Sequence, residues 1–328
     1  MRTPIFPLVV ACLSIAAAAS ASDGIVEINQ TCATTAGCFP GDTPGFPVTI
    51  TKRGSYRLTS NLDVSTTVSG IVFDPLDPNV DPGATLDLGG FTVRGPVTCT
   101  GEGSGLTCSA SSGSIGVFAV YGGLDLRNGR VMGFGSYGIY TGSRSRVSDV
   151  SSEGNAEWGV FAFSGTVIRN STASRNGGLG FVLDGASAEG CSATGNREWG
   201  ISVSGGTVTR TIVRGNAGGG ISGLSGAVLR ENSVSFNTGD GILARSGTVV
   251  SDNAVVNNTQ AGISALSASI VQRNIIRQNG VYGLYLVPED GGTAATYSDN
   301  TIAANGVVSV TGGINMGGNS CNGTTTCP

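Results

Sequence analysis

VSDNAVVNNTQAGI (residues 250–263) and VQRNIIRQNGVYGL (residues 271–284) are two copies of one pattern set 21 positions apart, and their reading decides the fold. Extending the register in both directions gives a column of asparagines: Asn155, Asn176, Asn196, Asn216, Asn237, Asn258, Asn279 and Asn305. Four residues after each of the first seven stands a glycine (Gly159, Gly180, Gly200, Gly220, Gly241, Gly262, Gly283), followed by an apolar residue from Val160 to Leu284. Eight residues before the asparagines lies a second, largely apolar column from Val147 to Tyr297, which Leu126 and Leu88 continue backwards across one gap of 38 residues. A fixed period of this length is the signature of a stacked-repeat architecture.

Within a unit the apolar residues alternate with polar ones over three or four positions and are punctuated by Gly, Asn and Ser. This is strand-and-turn patterning with no room for a helix. A leucine-rich repeat has a similar period, but its L-x-x-L-x-L core is absent. The expectation is an all-β, single right-handed parallel β-helix of about ten coils of about 21 residues, with side chains alternating inward and outward. Each asparagine column then hydrogen-bonds along its own stack and satisfies turn groups that lack other partners. Composition agrees: 54 of 328 residues are glycine, charged residues make up only 12%, and 2 Trp, 7 Tyr and 11 Phe are the only aromatics. These values exclude a coiled coil or an ordinary charged, helix-rich enzyme. A formal charge of −4, the single lysine Lys52 and no basic run argue against a nucleic-acid partner. The chain has no histidine, so the commonest general base and metal ligand are both missing.

Arg2, an apolar stretch to Ala19 and the small residues Ala19, Ser20 and Ala21 form an export signal over residues 1–21. Cys12 lies inside it, in a looser match to a lipoprotein box. No later stretch is long and apolar enough to span a membrane. Six of the remaining seven cysteines are close neighbours in sequence and, in an oxidising compartment, predict three local disulfides: Cys32 with Cys38, Cys99 with Cys108, and Cys321 with Cys327. Cys191 is left over, in an inward column with Ser171, Thr211, Asn232, Asn253 and Asn274, and is expected to be a buried thiol. The expected organisation is an N-terminal cap over 22–60, the β-helix over 61–310 and a C-terminal cap over 311–328, closing strand edges that would otherwise lie open.

The motif of residues 271–279, with the stretches VTITKRGSYRLTS (48–60) and TLDLGGFTVRG (85–95), resembles the right-handed parallel β-helix repeat family of secreted bacterial proteins, with the pectate-lyase-like fold. The resemblance covers roughly residues 60–310. It implies the fold and leaves the activity open, since the family includes pectate and alginate lyases, polygalacturonases, uronan epimerases and adhesins. Polygalacturonase-like members carry Gly-His-Gly and epimerase-like members Asp-Pro-His, and neither segment exists in a chain without histidine. A lyase using Arg or Lys52 as base, or a hydrolase using carboxylates alone, is compatible with these residues.

Four constellations are candidates for function. Asp149, Asn170, Gly190, Arg210, Glu231, Asp252, Arg273 and Asp299 form an outward column whose alternating charges suit a solvated ion-pair ladder or, less plainly, a uronate or calcium site around Arg210, Asp252 and Arg273. Glu157-Trp158 and Glu198-Trp199 occupy one slot two coils apart, about 9–10 Å. That spacing suits a pair of stacking platforms for an extended glycan, with Tyr282 further along the slot and the glutamates bonding hydroxyls or acting as a carboxylate pair. The alternative is that the rings pack over turn backbone. Asp74, Asp77 and Asp81 gather carboxylates near three prolines, a pattern open to calcium but also to ordinary turns, and Glu289-Asp290 lie in a late insertion. The leading expectation is a secreted or periplasmic, non-catalytic module presenting a flat face to a glycan or a cell-surface protein. The alternative is a polysaccharide lyase or glycosidase acting on an acidic or extended glycan. Geometry discriminates between them, because an enzyme requires charged groups converging in a groove walled by the insertion at 96–113.

Overall fold

The computed structural model describes residues 24–74, 83–109, 113–288 and 292–328. The export stretch, Asp77, Asp81, Glu289 and Asp290 lie outside the described residues. The chain winds into an all-β parallel solenoid. One sheet of 12 strands contributes one strand per coil, from Val48–Ile50 to Val308–Gly312, and a second sheet of 23 strands supplies the other two faces. In one coil Ile242–Ala244 belongs to the first sheet, and Val249–Ser251 and Ala254–Val256 to the second. Each strand pairs in parallel with its copy in the next coil, as Ile242 with Ile263 and Val250 with Val271. Three inward columns meet on the axis, represented by Ile221, Ile242 and Ile263, by Leu229, Val250 and Val271, and by Val234, Val255 and Ile276, all fully buried.

The two second-sheet strands of a coil join at a sharp corner. The corner residue takes left-handed backbone, with φ of 56° at Asp149, 50° at Arg210, 59° at Asp252 and 54° at Arg273. The column read as outward therefore also bends the chain, and its long polar side chains lie where solvent accepts them. The next residue turns inward and starts a ladder in which Asn232, Asn253, Asn274 and Asn300 each donate a backbone N–H and a side-chain N–H to the following asparagine, at 2.9–3.0 Å. A second ladder from Asn155 to Asn305 runs along the neighbouring corner. The glycine four residues after each of the first seven of these asparagines has a steric cause: it lies against the asparagine of the next coil. A Cβ on Gly241 would come within 2.6 Å of Asn258 Nδ2, and one on Gly159 within 2.7 Å of Asn176 Nδ2.

The solenoid has about twelve coils, two more than the repeat suggests. The extra coils lie at the start, where neither asparagine ladder has begun and no sequence column announces them. Ile25–Ile28 already pairs with Gly54–Leu58, so the stretch expected to be a cap contributes strands. The short helix Gln30–Thr35 follows the first strand, with the Asn29 side chain accepting from Cys32 N at 2.9 Å. At the other end Ile314–Asn315 and Ser320–Cys321 pair with the preceding coil. The three local disulfides form, and Cys191 is free and buried. Burial pushes the Cys191 thiol up to about 11, with the nearby Ser171 and Glu189 backbone acting weakly against it.

Candidate functional site

Leu126 stacks on Leu86 rather than on Leu88, and the long coil between them holds an insertion over residues 96–113. Its described part is an antiparallel hairpin, Cys99–Thr100 against Thr107–Cys108, closed by the disulfide. Glycines at two of the corners, Gly154 and Gly195, let it lie close along the solenoid. Cys99 Sγ sits 3.2 Å from Gly154 O, and Gly103 N donates to Gly195 O at 2.9 Å. Between the insertion and the sheet lies an open groove of about 270 Å³, lined among others by Arg94, Met132, Glu153 and Arg175. A second hollow of about 350 Å³ continues it through Glu102, Ser174, Arg175, Thr194 and Gly195.

The groove's charges come from adjacent coils in strict register. Arg94 pairs with Met132, Met132 with Glu153, and Glu153 with Ser174, all at outward positions of one face. Glu153 is the centre: Arg175 forms an ion pair with it, and Arg130 approaches at 3.9 Å. The Glu153 side chain is only 13% exposed, whereas the guanidinium groups stand at 49–53%. Arg94 in turn lies 3.9 Å from Asp63. A largely covered carboxylate thus holds the exposed side chains of Arg130 and Arg175 at the rim. Planar guanidinium donors in that position match a ligand carboxylate two bonds at a time.

The residues singled out from the sequence lie elsewhere. Arg210 pairs with Glu189 and, at 3.5 Å, with Glu231. Arg273 grips Asp252 in bidentate fashion at 2.9 and 3.0 Å. These corner charges are exposed and saturate one another, as in an ion-pair ladder; Arg169 and Arg210 hold the Glu189 carboxyl below the usual carboxylate range. Glu157 is exposed and accepts a hydrogen bond from Ser136 Oγ at 2.6 Å, and Glu198 is exposed in the equivalent slot. Both tryptophans are half-buried. The Trp158 ring stacks on Phe161 (centroids 5.5 Å, planes 12° apart) and leans on Tyr137, so one of its faces is already covered. The Trp199 ring lies over Gly219, where a Cβ would come within 2.5 Å of it. Tyr282 is beside Tyr285 at 5.1 Å. Asp74 is exposed, and among the described residues no three His, Cys, Asp or Glu gather into a metal site.

Sequence reasoning missed two groupings. Arg94, Arg130, Glu153 and Arg175 fall one or two positions before the ladder slot or one coil apart, columns that look unremarkable until the coils are stacked. The second is an aromatic stack on the outer face of the 12-stranded sheet, where Phe118, Tyr140 and Phe161 follow one another in register and Tyr140 lies 8° from parallel to Phe161 at 5.3 Å. Its signal is Gly-apolar-aromatic in three consecutive units: Gly116-Val117-Phe118, Gly138-Ile139-Tyr140 and Gly159-Val160-Phe161.

Residues 204–326 match the family described as the right handed beta helix region. No curated protein matches the chain in sequence. Among solved structures, the A-module of a mannuronan C-5 epimerase from Azotobacter vinelandii aligns over 93% of this chain and 89% of its own at 16% identity, TM-score 0.53. A pectate lyase aligns over 92% and 81% at 14% identity, TM-score 0.51. A double mutant of a periplasmic alginate epimerase aligns over 83% and 75% at 15% identity, TM-score 0.50. At such identities the likeness is one of fold. The chain is thus a parallel β-helix whose residues 204–326 match the right handed beta helix region and whose fold resembles that of a mannuronan C-5 epimerase module and a pectate lyase.

Proposed function

We propose that the protein acts on an acidic polysaccharide held in the groove beside the 96–113 insertion, as a polysaccharide lyase or glycosidase working outside the cytoplasm. The observation that carries this reading is the placement of Arg94, Glu153 and Arg175 in one walled groove, where Arg175 pairs with Glu153 and Arg130 approaches it from beside the groove. Mannuronan, alginate and pectate in the neighbours' names point to ligands of the same kind. Glu153 orients the Arg175 guanidinium, Asp63 lies beside Arg94, and Arg94 and Arg175 receive the sugar carboxylate. Neutralising that carboxylate makes the hydrogen on the adjoining ring carbon easier to remove, which is the demand of an elimination step. The three disulfides and the export stretch support a secreted or periplasmic setting.

A non-catalytic glycan-binding role is the second reading, favoured by one observation: the chain has no histidine, and Glu153 is already engaged by Arg175. Incubating the purified protein with polyuronates and with neutral glycans separates the two. Binding accompanied by ultraviolet absorbance from unsaturated ends, or by new reducing ends, establishes an enzyme. Saturable binding without product establishes a binding module, and an absence of binding to every polyuronate and every neutral glycan removes both.

A further inference from the structure

The face that carries the groove does not end with it. The outward column Arg94, Met132, Glu153, Ser174, Thr194 continues in register to Arg214 and then Ser235. Arg214 is exposed, and its guanidinium lies over the ring of Phe236, 4.6 Å from the centroid. Phe236 takes the left-handed corner position, φ 57°, and is 51% exposed, an unusual place for a large apolar ring. A guanidinium seated on an aromatic face is fixed in plane while its N–H groups point outward around the rim. That is the state of a donor fork prepared for a planar anion, and it explains an exposed phenylalanine that packs into no core.

We infer that Arg214 on Phe236 is a second carboxylate subsite, and that the ligand is a linear polyuronate running parallel to the solenoid axis from Arg94 to Arg214; this rests on the functional reading above. Arg175 and Arg214 are two coils apart, about 9–10 Å at the strand spacing, and Arg94 and Arg214 are five coils apart, about 24 Å. One coil rise is close to one sugar step of an extended chain. Alternate carboxylates on one side of the polymer then meet Arg175 and Arg214 in turn, with the shallow hollow at Thr194 and Gly195 accommodating the ring between them. The Cys99–Cys108 hairpin lies along this track, with Gly103 bonded to Gly195 and a Cβ on Gly103 falling 3.0 Å from Gly215 O, so it guides the chain toward Arg214.

The test is calorimetric titration of uronate di-, tetra- and hexamers, with neutral oligosaccharides of equal length as controls. The hexamer binds more tightly than the dimer. Arg214→Ala weakens hexamer binding by about tenfold or more, the value of a charge-assisted hydrogen-bonded contact, while leaving dimer binding unchanged. Arg175→Ala weakens both, and Phe236→Ala reproduces part of the Arg214→Ala loss. Because Arg214 and Phe236 are exposed, unchanged melting curves confirm that the variants fold. Hexamer affinity unaltered by Arg214→Ala overturns the second subsite while the groove reading stands. Equal binding of neutral hexamers overturns the carboxylate assignment, and the failure of all uronates to bind overturns the functional reading itself.

Discussion

Replacing Asn237 by alanine tests what holds the coils in register. Its side chain accepts from the backbone N–H of Asn216 at 3.0 Å and from Asn216 Nδ2 at 3.0 Å, and it donates to Val213 O at 3.2 Å and to Asn258 Oδ1 at 2.9 Å. The substitution removes these four bonds. Asn216 Nδ2 keeps Ala193 O as a partner and Asn258 Oδ1 keeps the Asn237 N–H, but the fully buried Asn216 backbone N–H loses its acceptor. At about 1 kcal/mol net per bond, with the penalty for the orphaned donor, the loss is about 3–5 kcal/mol. Denaturant unfolding gives the total, and amide hydrogen exchange gives the locus, since nearest-neighbour coupling in a solenoid confines the damage to adjacent coils. Exchange accelerates at Asn216 and in the flanking coils and stays unchanged in the first coils. A loss below about 1 kcal/mol, or one no larger than that of the exposed Thr259→Ala, refutes the view that the ladder bears the stack.

Ile242→Ala removes a fully buried side chain between Ile221 and Ile263 and costs about 2–5 kcal/mol, whereas the exposed Arg277→Ala costs little; equal shifts of the denaturation midpoint contradict the inward assignment. The raised Cys191 value means that the native state holds the thiol protonated. Stability tied to this group is intact below its ordinary value of 9.0 and declines as pH climbs from there toward about 11. Thiol labelling near pH 9 is therefore slow in native protein and fast after denaturation, and rapid native labelling refutes the buried placement. Arg210→Ala raises the Glu189 pKa toward the usual carboxylate range, measurable by NMR titration, with little change in unfolding midpoint because the pair is exposed. In wild-type protein the small contribution of the lowered Glu189 is present at neutral pH and is lost as pH falls through its folded value.

The coil length, the inward columns and the disulfide pairs were legible in the sequence because each follows a local rule. An asparagine needs its copy one period away, and the glycine four positions on must clear the asparagine of the next coil. The first two coils were not marked by the repeat, because Ile25–Ile28 and Val48–Ile50 stack through ordinary strand pairing with no ladder residue, and only the resemblance of the stretch 48–60 pointed to a coil there. The groove was hidden for a different reason. Arg94, Glu153 and Arg175 lie within a span of four coils, and only the stacking of those coils, together with the folding back of the Cys99–Cys108 hairpin onto Gly154 and Gly195, brings them to one wall, with Arg130 beside Glu153. Likewise the Trp158 slot was visible from its repetition, but the stacking of its ring on Phe161 depended on the twist and rotamers of neighbouring strands. The sequence by itself determined a period and hence a solenoid, because backbone pairing and side-chain alternation are periodic. Which charges meet across coils, and which rings remain open to a ligand, was decided by the tertiary structure, because side-chain direction and the path of an aperiodic insertion are not.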